Sequence, residues 1–110
     1  MRQIFLITLS MNIGSAIKLI RKSKNLNQGE LANLLAISQT ALSQIESGIS
    51  TPSPRTVKKL CETLDIPEPV IYILGIDTTD VPENRKDMYN ILFPSAQKII
   101  LDILGADIKS

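Results

Sequence analysis

The 110-residue sequence predicts an all-α fold. Three observations carry that reading. Apolar residues recur three and four positions apart through most of the chain, which is the period of a helix face. Aromatic residues make up only 4% and Trp is absent, so the core must be built from Leu and Ile. Asn, Ser, Gly and Pro stand between the periodic stretches, where helices start and stop. With 44% apolar and 21% charged residues, the chain can form one packed core plus a short appendage.

The first element is the exception. Residues 1–11 carry the apolar run Ile4–Leu9, too short to span a membrane and short for a signal peptide. It reads as a β-like strand or arm. Met11 offers a second start, because MNIGSAIKLIRK is already a complete helix beginning. The expected location is cytoplasmic.

From Asn12 the pattern turns helical, with Ile13, Ala16, Ile17 and Ile20 on one face and Asn25 as a stop. Asn27 can cap the next helix, and Glu30 three residues later completes a capping box. Leu31, Leu34 and Leu35 supply that helix's apolar face. Ser38 caps a third helix, which carries Ala41, Leu42 and Ile45 inward and ends at Gly48. Ser53 with Pro54 opens a fourth, whose stripe is Val57, Leu60, Cys61 and Leu64. Val70, Ile71 and Leu74 make a short fifth before Gly75. Residues 76–81 read as a linker. The remainder, 82–110, reads as two amphipathic helices, roughly 82–92 and from Ser95 onward, interrupted by Pro94.

Composition excludes several functions. One cysteine rules out an internal disulfide, and the absence of His removes Cys/His metal sites and His-based triads. Asp77 and Asp80 are ordinary linker acids. No Gly-rich phosphate loop appears. The sequence therefore predicts no enzyme, no metal and no cofactor. Charge is more informative than its net of +1. Residues 1–64 hold eight basic and three acidic residues, whereas 65–110 hold four basic and eight acidic. A basic front half suits a polyanion partner.

The segment from Gln28 to Ser47 holds the most specific pattern. Two short helices separated by about three residues form a helix-turn-helix. Ala32 is small where the helices cross, Ile37 can plug the turn, and Leu42 and Ile45 face the core. The outward face of the helix after Ser38 shows Gln39, Thr40, Ser43 and Gln44, all uncharged and polar. Gln can hydrogen-bond adenine through two bonds, and Thr or Ser can meet a thymine methyl or a base edge.

These residues resemble the helix-turn-helix domain of the lambda and 434 repressors and the wider Xre-type regulators. The resemblance covers about residues 12–75. It rests on Leu26-Asn27-Gln28, Glu30-Leu31-Ala32, Ile37-Ser38-Gln39, Ser43-Gln44-Ile45-Glu46, Gly48 and Pro52. It implies a five-helix bundle that binds double-stranded DNA as a homodimer, with its third helix in the major groove. Carried over by position, Gln28 starts the second helix against a phosphate and can brace Gln39. Gln39, Thr40, Ser43 and Gln44 face the bases, Ser38 is a further DNA-binding residue, and Arg21 and Glu46 form a structural ion pair. Two departures stand out. Ala36 occupies a turn position usually held by Gly, which implies a tighter or strained turn. The loop Ile49-Ser50-Thr51 lacks Lys or Arg, so phosphate contacts fall to backbone N–H groups, Ser50, Ser53 and Arg55.

Residues 82–110 lie outside the resemblance. Ile99, Ile100, Ile103 and Leu104 are expected to form a dimer seam, helped by Ile91, Leu92 and Phe93, with Ile4–Leu9 pairing strand to strand across it. The predicted function is a dimeric repressor reading a specific DNA sequence. The alternative is an antitoxin-like module whose C-terminal helices hold a partner protein.

Overall fold

The stripe Ala16, Ile17 and Ile20 lies at the centre of the structure, fully covered, on a helix that packs against three others. This computed structural model describes residues 12–109, with side chains described to residue 104, Thr78 excepted. The arm, Ile4–Leu9 and the start at Met11 lie outside the described residues.

Six α-helices follow in order: α1 (Ile13–Ser23), α2 (Gln28–Leu35), α3 (Gln39–Glu46), α4 (Pro54–Leu64), α5 (Glu68–Leu74) and α6 (Lys86–Lys109). Among the described residues there is no strand, and no helix is long and apolar enough to cross a membrane. The caps fall where the sequence signals place them. Asn27 Oδ1 accepts from Glu30 N at 2.7 Å, and Glu30 Oε1 accepts from Asn27 N at 2.8 Å. Ser38 Oγ accepts from Ala41 N at 3.0 Å, and Ser53 Oγ from Thr56 N at 3.1 Å. Asn12 caps α1 in the same way through Ser15 N. Asn12 N also donates to Gly75 O at 2.8 Å, which ties the start of α1 to the end of α5.

Helix ends use left-handed residues. Asn25 (φ 59°), Asp65 (φ 55°) and Gly48 (φ 84°) take this conformation, and so does Ala36 at φ 58°. The turn between α2 and α3 thus has the geometry a glycine favours, built on an alanine. Ile37 N closes it onto Ala32 O at 3.0 Å, and the Ile37 side chain packs against the core. A left-handed L-residue costs roughly 1–2 kcal/mol. Ala36→Gly is therefore expected to stabilise the fold by about 1 kcal/mol, less the added unfolded-chain entropy of Gly. Urea unfolding checks this: an unchanged or lower midpoint would mean the turn is not strained.

The core unites all six helices. Ile17, Ile20, Leu31, Leu42, Leu60 and Ile71 are the largest fully buried side chains, and Leu104 of α6 joins them. Cys61 is buried as well, and burial pushes its thiol up, with Glu68 and Glu62 adding to the effect.

Two expectations about the C-terminal region need correction. The linker carries 3₁₀ turns at Thr78–Asp80 and Glu83–Arg85, and the expected two-helix extension is one continuous helix of 24 residues with Pro94 inside it. Proline removes the bond to the Asn90 carbonyl and crowds it, at a cost of about 3 kcal/mol. Contacts on both sides of Pro94 hold the helix in place. Before it, Tyr89 stacks on Phe93 at 4.7 Å and donates from its hydroxyl to Ile76 O at 2.8 Å. Burial, then the carboxylates of Asp77 and Asp80, push the Tyr89 phenol up, so it stays a donor at neutral pH. After Pro94, Ile100, Leu101 and Leu104 pack on the core.

The expected dimer seam is the second correction. Leu104 is 6% exposed and Ile100 is half-buried, both against their own bundle, while Ile99 and Ile103 point outward at 60% exposure. Leu104 is therefore a core residue. A 100° advance per residue places 100 and 104 about 100° around the helix from 99 and 103, once α6 runs unbroken past Pro94.

Candidate nucleic-acid interface

The candidate interface is built on α2 and α3, and its outer surface is the exposed face of α3. Leu42, Ile45 and Glu46 turn inward, while Ser38, Gln39, Thr40, Ser43 and Gln44 are all exposed. The face therefore offers only amides and hydroxyls, which bind base edges without preferring phosphate. Ser38 has a structural duty too, since its hydroxyl oxygen caps the helix.

A buried charge pair fixes the inner side. Arg21 donates from Nε to Glu46 Oε2 at 2.7 Å and from Nη2 to Glu46 Oε1 at 3.0 Å. Its remaining Nη1 donates to Leu26 O at 2.9 Å. The guanidinium thus joins the end of α3 to the loop leading into α2. This two-point geometry is the strong form of a carboxylate–arginine bond. Glu46 Oε1 also accepts from Gln28 Nε2 at 3.1 Å. Gln28 was expected to brace Gln39; its amide turns to Glu46 instead, because that buried carboxylate is the stronger acceptor nearby. The backbone N–H groups of Gln28 and Gly29, in the first turn of α2, have no carbonyl four residues back within the helix to bond.

The loop after α3 departs from expectation. Ile49 N and Ser50 N both donate to Gln44 O, at 2.9 and 3.1 Å, so those two N–H groups are spent closing the helix. Ser50 is half-buried. Ser53 and Arg55 are exposed, and the Ser53 hydroxyl also bonds Thr56 Oγ1 at 3.0 Å.

Two residues that matter here escaped the sequence reading. A Cβ on Gly14 would overlap the carbonyl of Ile45, so α1 and α3 touch backbone to backbone at that point. A glycine in a helix's first turn looks merely like a weak helix former, and only the crossing reveals its purpose. The other is Lys24. It is 3% exposed, and its Nζ donates to Leu104 O at 2.6 Å, anchoring α6. Arg21 and Lys24 are thus lost to any polyanion. The outward cations of α1 to α5 are Lys18, Lys22, Arg55, Lys58 and Lys59.

Comparison with known proteins decides what this arrangement is. Residues 17–71 match the helix-turn-helix family. The chain belongs to that family. The matched span begins inside α1, ends inside α5, and contains the helix-turn-helix unit of α2 and α3 whole. The helix-turn-helix chain is similar to the ImmF control region 10 kDa protein of Bacillus phage phi105, at 34% identity over 62% of this chain and 76% of that protein. It is similar to the HTH-type transcriptional repressor RghR of Bacillus subtilis, at 35% identity over 58% of this chain and 49% of that protein. A Methanococcus vannielii protein with an HTH-type transcriptional regulatory name is 28% identical over 84% of this chain. The chain spans 30% of that last protein's length and about half of the repressor's.

Proposed function

We propose that the protein is a transcriptional regulator that binds double-stranded DNA as a homodimer, acts as a repressor, and reads the major groove with α3. The observation that carries this reading is the four-residue outward face of α3, uncharged and polar, on a helix held rigidly from behind. Gln39 and Gln44 supply the donor–acceptor pair that matches adenine, and Thr40 and Ser43 suit thymine methyls or base edges. Gln28 and the first turn of α2 supply the phosphate contact, joined by Ser50, Ser53 and Arg55. The repressor and control-region names of two relatives agree with the same reading.

Gln39→Ala is expected to weaken binding to the preferred sequence by about 1–3 kcal/mol and to relax base preference there. Titration against the preferred and a random duplex tests it. An equal loss on both would mean Gln39 reads no base. In contrast, Arg55→Ala is expected to lower affinity for both duplexes and reduce the salt slope by about 1.

A further inference from the structure

Once its inner face is packed on the bundle, α6 still exposes Met88, Leu92, Ile99 and Ile103 at 59–61%, and Ile91 at 72%. At 100° per residue the first four fall within about 60° of arc, a straight stripe some 22 Å long. At on the order of 100 Å² each, the five leave roughly 500 Å² of apolar surface, in the upper part of the roughly 300–600 Å² range where a monomer's largest patch is often functional. Two such surfaces together reach the roughly 1,000 Å² that a specific interface needs.

The stripe has a shape as well as an area. Its N-terminal half borders an apolar groove of about 320 Å³, lined by Val81, Arg85, Met88, Leu92, Phe93 and Ala96. Its C-terminal half carries two isoleucines, Ile99 and Ile103, that stand out at 60% exposure and do not line that groove. The midpoint of the stripe falls at Ser95 and Ala96, small side chains that let two helices approach closely.

We propose that α6 pairs with α6 of a second copy, antiparallel, about a two-fold axis near Ser95 and Ala96. Ile103 of each copy then lies level with Met88 of the other, and Ile99 level with Leu92, so each groove receives the other chain's two isoleucines. A parallel pair would set groove against groove and isoleucine against isoleucine, leaving both grooves empty. The antiparallel pair is isologous, the same patch on both copies, and closes at two. It rests on the paired DNA-binding reading above only in that the dimer supplies two α3 helices; the pairing itself needs no DNA.

The test uses the full chain without DNA. Sedimentation equilibrium is expected to give twice the 12.1 kDa chain mass at micromolar concentration. The Ile99→Glu/Ile103→Glu variant is expected to run at the single-chain mass with unchanged helical circular dichroism, since both positions are exposed. For orientation, Met88→Cys and Ile103→Cys chains are mixed under mild oxidation; native Cys61 is shielded in the core. The mixture is expected to cross-link at least tenfold faster than either variant alone. A monomer at every concentration, a dimer indifferent to the two glutamates, or faster cross-linking of Met88→Cys with itself would each overturn the pairing. A dimer without base preference would instead defeat the DNA-binding reading and leave the pairing intact.

Discussion

Glu46→Ala is expected to destabilise the protein by about 3–5 kcal/mol, the cost of stranding a buried charge. Arg21 is 8% exposed, and Leu26 O would be the only acceptor left among its present partners. The loss comes from the orphaned guanidinium, not from the intrinsic worth of the pair. An apolar replacement of both, Arg21→Met with Glu46→Leu, is therefore expected to recover most of the stability. It should not recover DNA affinity, because Gln28 would still lack the carboxylate that orients its amide. Chemical denaturation of the single and double variants, with DNA titration beside it, separates the two effects. A double variant as unstable as Glu46→Ala would show that the pair itself is strongly stabilising.

Gly14→Ala is expected to cost about 3 kcal/mol, the upper part of the usual range for overpacking. The added methyl meets the Ile45 backbone carbonyl, which cannot rotate aside as a side chain would. Either α1 moves away or the C-terminal end of α3 is pushed outward. The second route would also displace the surface formed by Gln39, Thr40, Ser43 and Gln44. The folded fraction is thus expected to bind its DNA more weakly than wild type. A denaturation midpoint close to wild type, with affinity unchanged, would show that the close approach of α1 and α3 is easily relaxed.

The sequence contained the local grammar of the bundle, and physical reasons separate what could be read from what could not. Caps at Asn27, Ser38 and Ser53 depend on side chains within three residues of their targets, so a short window suffices. The buried stripes of α1 to α5 follow from periodicity, save that Leu34, expected on the apolar face of α2, is 45% exposed and Ala32 is buried beside Leu31 and Leu35 instead. Ala36 was legible as a departure, and the structure shows its form: a left-handed alanine. What resisted reading depends on partners distant along the chain. Lys24 looked like one more cation in a basic half until its ammonium met a carbonyl 80 residues away. Pro94 looked like a helix break because local cost predicts one. The packing of Tyr89, Phe93, Ile100 and Leu104 overrides it, and that continuity decides which isoleucines of α6 face outward.

In the candidate interface, the Arg21–Glu46 pair was anticipated by resemblance and stands in the structure. The orientation of Gln28 and the use of the Ile49 and Ser50 N–H groups were not, since both turn on competition among nearby acceptors. Under the proposed function, that concentrates the reading of bases on one helix face, with few phosphate contacts expected from the loop beyond it. On the proposed function, affinity is then expected to depend on pairing two such faces.

Selection of bound duplexes from a random pool tests the central claim most directly. At reduced salt, wild-type protein is expected to enrich a two-fold related pair of half-sites, their centres about one helical turn apart. Gln39→Ala is expected to lose preference at one position in each. A pool that remains random after selection at reduced salt would contradict the account.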